Sequence, residues 1–161
     1  MIRALFRPVA LIAAFAMALS LAACEETTGD YVEITGGGFL FNYRIAEATY
    51  GMVATARRTV PPGTRFVAEF ENPADPPPDG SPLSVEIVSR EGQTRFAISS
   101  PPVKNVVADQ AYAVTLTLFT PDGAAIETHE TTYRSKIGSE VLPEVPLTIG
   151  PGYTKNPELK E

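Results

Sequence analysis

Cysteine is nearly absent from this sequence, which has one cysteine in 161 residues. Tryptophan is missing altogether, and histidine occurs once. A single cysteine cannot form an internal disulfide, so core packing must stabilise the fold.

Long apolar runs are also scarce. The longest uncharged, apolar stretch runs from Pro8 to Ala23 and follows Arg3 and Arg7. A short basic region before such a run is typical of a secretory signal peptide. The run is shorter than the roughly 20 residues of a bilayer-spanning helix, and no second one follows. We therefore predict a signal peptide over residues 1–23 and no stable transmembrane span.

The stretch Leu21-Ala22-Ala23-Cys24 ends this run. It resembles the lipobox of bacterial lipoproteins, which implies that Cys24 carries a diacylglyceryl group and is the first residue of the mature protein. The alternative is a buried or free thiol. Stable anchoring takes more than one acyl chain, and the resemblance implies three. Glu25 follows where an aspartate would favour retention in the inner membrane, so we expect a lipid anchor in the outer membrane, facing the periplasm.

Basic residues are outnumbered by acidic ones, 13 to 19, and two of the arginines lie in the predicted signal peptide. A negative surface repels nucleic-acid phosphates and anionic headgroups. Nucleic-acid binding is therefore disfavoured, and membrane contact is expected through the lipid.

Strand-forming and turn-forming residues are abundant, with fifteen prolines and twelve glycines among them. Apolar residues alternate with polar ones in several segments, as in half-buried antiparallel strands. Proline and glycine mark the turns at 61–63 and 120–123. The predicted strands are Phe39–Ile45, Tyr50–Val60, Arg65–Glu71, Leu83–Val88, Arg95–Ser99, Tyr112–Phe119, Ala125–Tyr133 and Val145–Ile149.

About eight short, regularly spaced strands predict an all-β fold. We expect a single antiparallel β-sandwich over residues 39–150, with a small barrel as the alternative. The polar segment 24–38 ends in three glycines and is predicted to be a flexible tether. It is not expected to be a phosphate loop, because no Gly-Lys-Ser/Thr follows. Residues 151–161 are predicted to be a loose tail.

Chemistry-bearing residues are sparse. His129 is predicted to be an exposed strand histidine, because no orienting partner or nucleophile is evident at its spacing. Asp75 and Asp79 lack the ligand spacing of a calcium loop and are expected in a stiff, solvated loop. We predict neither an enzyme, nor a cofactor or metal, nor a small-molecule substrate.

Three apolar residues fall out of phase with the faces predicted to be buried. They are Val88, Phe119 and Tyr133. Either the sheet has a second covered face or these residues form a candidate partner surface.

Three segments, "RRTVPPGTRFVAEFEN" at 57–72, "TRFAIS" at 94–99 and "AYAVTLTLFTPDGAAIETHETTYR" at 111–134, occur in this order. They are similar to the YbaY/YscW-type lipoproteins, over roughly residues 50–150. The family usually has proline before the middle phenylalanine, where this chain has Arg95, and the segment Phe39–Ile45 is additional. The resemblance implies a β-sandwich lipoprotein of the cell envelope. Some members are pilotins, which bind the C-terminal segment of a secretin, and no catalytic residues transfer.

These observations together predict a membrane-anchored, non-enzymatic binding or assembly module. Its partner would be a secretin or another envelope protein. The alternative is a structural or adhesive surface lipoprotein without a dedicated client.

Overall fold

The computed structural model describes residues 30–152 and 154–159. Cys24 and the predicted signal peptide lie outside the described residues. Within the described ranges no helix is both long and apolar enough to cross a membrane. The strands there are β1 (Val32–Asn42), β2 (Glu47–Ala56), β3 (Arg65–Phe70), β4 (Leu83–Val88), β5 (Arg95–Ser99), β6 (Ala111–Phe119), β7 (Ala125–Arg134), β8 (Thr148–Ile149) and β9 (Thr154–Lys155), with a 3-10 turn at Ser139–Val141.

Two antiparallel sheets form the body of the protein, which confirms the predicted all-β, sandwich-like fold. The first sheet has the order β1-β2-β5, and the second has the order β4-β3-β6-β7. Strands β8 and β9 form a separate two-stranded hairpin. Every pairing is antiparallel. Consecutive strands pair as β1–β2, β3–β4 and β6–β7, whereas β2–β5 and β3–β6 join strands that are distant in the chain.

The core lies between the facing surfaces of the two sheets. Alternate residues of β2, β3, β5 and β6 point into it, and rings supply much of its volume. Phe66 stacks on Phe96 across the sheets at a centroid distance of 4.1 Å, and Tyr50 meets Phe70 edge-on at 5.1 Å. The Tyr50 hydroxyl donates a hydrogen bond to the carbonyl of Glu71, and burial raises the pKa of this tyrosine above its ordinary value. The largest fully buried side chains are Tyr50, Tyr112, Phe66, Phe70, Phe96, Met52, Ile98, Leu116, Leu118, Val32, Val114 and Thr64.

The predicted tether needs a correction. Residues 32–38 are not a linker but the first part of β1, which pairs with β2 along its whole length. The register shifts between Ile34 and Gly36, which indicates a β-bulge at the intervening residue. Glycine is a poor strand former when nothing approaches its backbone, and for this reason the sequence predicts a domain that begins only at Phe39.

The predicted loose tail is also corrected. Thr154–Lys155 forms β9 and pairs with β8. Asn156 is buried, and its side-chain amide donates to the carbonyl of Pro146 at 2.7 Å. The amide of Thr148 donates to the carbonyl of Arg44 at 2.9 Å, so this segment is packed against the β1–β2 turn.

The sandwich has two ends. At the tether end, β1 begins at Val32, and the turns 57–64, 89–94 and 120–124 lie near it. At the far end lie the β1–β2 turn, the loop 71–82 and the β8–β9 hairpin. The register places these segments, because Val32 pairs with Ala56 while Phe41 pairs with Ala48.

Candidate functional site

The two long sides of the sandwich differ in how they are closed. On the closed side, where β1 faces β7, side chains bridge the sheets. The Glu127 carboxylate accepts hydrogen bonds from the backbone amides of Tyr31 at 2.6 Å and Val32 at 3.2 Å. One acidic side chain of β7 therefore holds the first residues of β1.

His129 lies next to Glu127 on the inner face of β7 and contacts its carboxylate through Nε2. The His129 side chain is 19% exposed and that of Glu127 6%. The prediction of an exposed histidine is therefore wrong. Alternation with a period of two residues does not show which face of an edge strand turns inward. In β7 the neighbouring sheet covers the polar face that carries Glu127 and His129.

Tyr133 completes the closed side. Its hydroxyl donates to the carbonyl of Gly36 at 3.1 Å, and burial raises its pKa. A Cβ at Gly37 would overlap the Tyr133 ring and lie 2.5 Å from the carbonyl oxygen of Gly51. The glycine run thus lets a tyrosine ring lie directly on the backbone of β1.

The open side, where β4 faces β5, lacks such bridges among the described residues. Both strands are sheet edges with one neighbour each. The amide of Ser100 donates to the carbonyl of Tyr50 at 2.8 Å, and the carbonyl of Thr94 accepts from Ala56. Even-numbered residues of β5 therefore point their backbone groups toward β2. The backbone groups of Arg95, Ala97 and Ser99 point outward, in the manner of an antiparallel ladder.

The edge of β4 has the same arrangement. Ser89 exchanges backbone hydrogen bonds with the residues that precede β3, donating to the carbonyl of Thr64 at 2.9 Å. The backbone groups of Ser84, Glu86 and Val88 consequently point away from β3. Unpaired groups of this kind are a template for an added strand.

An apolar cleft lies along this open side. Leu83, Val85 and Ile87 are half-buried and pack on the core from its margin. A recess of about 530 Å³ lies at the tether end of the cleft. Ile87, Val88 and Ala97 line one part of it, and the polar turn 90–93, with Arg90, Glu91 and Gln93, lines the rest. The arrangement offers backbone hydrogen-bonding groups beside apolar side chains, which suits an extended peptide.

The sequence-predicted partner residues are only partly brought together. Val88 and Phe119 both pair with Arg65 and share the outer face of the second sheet. Val88 is 52% exposed, and the Arg65 guanidinium lies 5.6 Å from the Phe119 ring centroid. Tyr133 lies apart from them, on the inner face of β7 beside β1.

The remaining candidates for chemistry do not assemble into a site. Asp75 accepts a hydrogen bond from the amide of Ser81 at 3.3 Å, which closes the loop on itself. Between residues 30 and 159, apart from residue 153, no group of three or more His, Cys, Asp or Glu side chains is placed to hold a metal ion.

Sequence reasoning did not find the open side or Glu127. The alternation of β4 and β5 was visible, but which strand of a sheet lies at its edge depends on pairing partners far away in the chain. No protein-family model matches this chain, and no curated protein matches it significantly.

Proposed function

We propose that this protein is a lipid-anchored, non-enzymatic binding or assembly module of the bacterial envelope, which receives an extended segment of another envelope protein on its open side. The observation that carries this proposal is the pair of unpaired strand edges, β4 and β5, beside an apolar cleft. Glu25, directly after the lipobox-like stretch, supports the outer-membrane location, and the resemblance to YbaY/YscW-type lipoproteins supports the pilotin-like role.

The edge of β5 sets the size of the bound segment. Arg95, Ala97 and Ser99 point backbone groups outward, and the carbonyl of Arg95 already accepts a hydrogen bond from the Gln93 side chain at 3.1 Å. A partner strand of about five residues would pair with the outward groups that remain, those of Ala97 and Ser99 above all, at the usual spacing of about 3.3 Å per residue. Alternate partner side chains would point toward Val85 and Ile87, giving apolar selectivity.

The exposed charges on the two edges are of opposite sign. Arg95 lies on β5, and Glu86 on β4 is paired with Arg65 of β3 at 2.7 Å. Charged side chains on edge strands discourage uncontrolled self-pairing. A partner segment with an acidic residue opposite Arg95 would add a complementary charge.

The anchor is tested by Cys24→Ser. We expect this variant to leave the membrane fraction, because no other cysteine can accept the lipid. Intact mass spectrometry of the wild-type protein should show the added diacylglyceryl group. A wild-type protein that is membrane-bound without that mass would contradict the lipid anchor.

The partner site is tested by a photo-crosslinking residue in place of Ala97, with Ala113 as the matched control. Both alanines are exposed and lie in strands, but Ala97 is on edge strand β5 and Ala113 on central strand β6. We expect a discrete adduct in cells from position 97 and none from position 113. The proposal fails if the adducts are equal. Protease added to intact cells distinguishes the alternative, a surface adhesive lipoprotein, since a periplasmic domain is shielded.

Ala97→Pro sharpens the same test. Proline removes the outward amide of residue 97 but no hydrogen bond to β2, so the fold is retained while an added strand loses a donor. Ala97→Thr keeps the amide and serves as the control. The photo-crosslinking residue is moved to position 99 for this test. We expect its adduct to disappear with Ala97→Pro and to persist with Ala97→Thr.

A further inference from the structure

We infer that the open side is a slot closed at both ends, which admits only a short extended segment of a foreign protein and fixes its register. Gln93 closes the tether end of the slot, and prolines close the far end. This inference rests on the proposed function, because it gives the length and the position of the segment that binds beside β5.

Gln93 closes the tether end of both strand edges with one side-chain amide. Its Nε2 donates to the carbonyl of Arg95 at 3.1 Å, and its Oε1 accepts from the amide of Arg90 at 3.1 Å. Outward-pointing residues alternate along an antiparallel edge, and Arg90 comes two positions after Val88, the last of them in β4. The first outward carbonyl of β5 and the amide that continues the β4 edge are therefore already occupied.

The turn that carries Gln93 is closed by its own backbone. The Gln93 amide donates to the carbonyl of Arg90 at 3.1 Å. Gly92 lies between them with a φ of 71°, the left-handed conformation that the third position of a type II turn requires. Gln93 is thereby fixed by its backbone and by both polar atoms of its side chain. A strand that displaced this side chain would only replace hydrogen bonds that the protein already makes.

Prolines close the far end of the same two edges. The next outward residue after Ser99 is Pro101, which has no N–H group, and its carbonyl accepts a hydrogen bond from the Ser100 hydroxyl at 2.7 Å. On β4, the residue two positions before Ser84 is Pro82, which also lacks a donor. Neither edge can therefore continue its ladder toward the far end.

The edge of β5 between these two stops is short. Its five residues leave the amides and carbonyls of Ala97 and Ser99, together with the amide of Arg95, for an added strand. A segment of about five residues covers these groups at about 3.3 Å per residue. A longer segment would face Gln93 or Pro101 without pairing. The slot thus selects a short segment and sets its register on Ala97 and Ser99.

The closed ends favour a foreign segment over a second copy of this chain. In a two-fold antiparallel pairing centred on Ala97, Pro101 of one copy would lie opposite Gln93 of the other. The chain still runs along the sheet at this point, because Ser100 remains hydrogen-bonded to β2. Each copy would press its proline segment against the capped turn of the other. A foreign segment that leaves the edge at both ends avoids this contact.

Photo-crosslinking along the edge tests the slot, with the full-length protein in cells. The crosslinking residue is placed in turn at Ala97, inside the slot, at Glu91, beyond the Gln93 cap, and at Lys104, beyond Pro101. All three positions are exposed. We expect an adduct with one foreign protein from position 97 and none from position 91 or 104.

Gln93→Ala removes the side-chain cap, whereas the backbone hydrogen bond of the turn remains. We expect the segment to extend past Arg95, so that the adduct at position 91 rises from background to a yield comparable with that at position 97. Hydrogen exchange at the Arg90 amide should quicken in the same variant, because Oε1 no longer accepts from it. Gln110→Ala, at an exposed position outside the open side, should keep the wild-type pattern.

Equal yields from positions 91, 97 and 104 in the wild-type protein would overturn the closed slot and leave the proposed function standing. An unchanged pattern in Gln93→Ala would overturn the role of Gln93. An adduct of twice the monomer mass would identify a second copy as the occupant and overturn the foreign segment. The absence of any adduct at position 97 would refute the proposed function, and this inference with it.

Discussion

The closed and open sides of this sandwich face the same physical problem, which is that two sheets leave strand edges on each flank. On the closed side, Glu127 and Tyr133 of β7 reach across to the backbone of β1. On the open side, β4 and β5 leave outward backbone groups and half-buried apolar side chains. The side-chain bridges of the closed side stabilise the domain, whereas the open side has none among the described residues, and this contrast supports the proposed binding of a partner there.

The largest expected effect is a substitution on the closed side. Gly37→Ala places a methyl group against the Tyr133 ring and the carbonyl oxygen of Gly51. Relief requires movement of a ring and of the backbone, and we expect the free energy of unfolding to fall by about 3 kcal/mol, at the upper end for overpacking. Urea denaturation of the mature protein measures it.

Gly36→Ala is the control for this change, since a Cβ there meets nothing within 4 Å. Its stability should stay within about 0.5 kcal/mol of wild type, as for most surface substitutions. Equal losses at both glycines would show that strand propensity, and not the Tyr133 contact, is responsible.

A smaller loss is expected from Glu127→Ala. The substitution leaves the amides of Tyr31 and Val32 without their acceptor, and an unsatisfied buried donor costs about 1–3 kcal/mol. We expect about 2 kcal/mol in urea denaturation, with faster hydrogen exchange at both amides. Glu130→Ala, at an exposed position on the same strand, should change neither quantity. An unchanged exchange rate at Tyr31 in Glu127→Ala would contradict the bridge.

On the open side, Ala97→Pro should have a weaker effect still. Its amide points away from β2, so no ladder hydrogen bond is lost, and we expect less than about 1 kcal/mol of destabilisation. Thermal unfolding monitored by circular dichroism checks it. A loss of several kcal/mol would mean that this amide has a partner within the fold and that β5 is not an open edge.

The smallest perturbation is the exchange of amide hydrogens for deuterium, which needs no substitution. Hydrogen exchange followed by NMR should alternate along β5, with fast exchange at Ala97 and Ser99 and slow exchange at Phe96 and Ile98. The alternation reflects outward amides and amides bonded to β2. Uniformly slow exchange along β5 in the free protein would remove the distinction between the two sides.

The sequence by itself determined the local features of this protein. Alternation located Leu83–Val88 and Arg95–Ser99 at their observed bounds, and proline-glycine turns separated the strands. Such signals work because strand periodicity and turn chemistry depend on residues close together in the chain. The stretch Leu21–Cys24 that resembles a lipobox is likewise a local pattern, and the lipid anchor that it predicts stays a prediction, because Cys24 lies outside the described residues.

Only the tertiary structure decided how these strands are used. Residues 32–38 became part of β1 because Tyr133, almost a hundred positions later, covers their glycines. His129 turned inward because β7 lies against β1. Strands β4 and β5 are open edges because each has one hydrogen-bonded neighbour and no second strand of the described residues folds beside it. Long-range packing decides which strand edges pair and which stay open, and the local periodicity of the sequence carries no information about that packing.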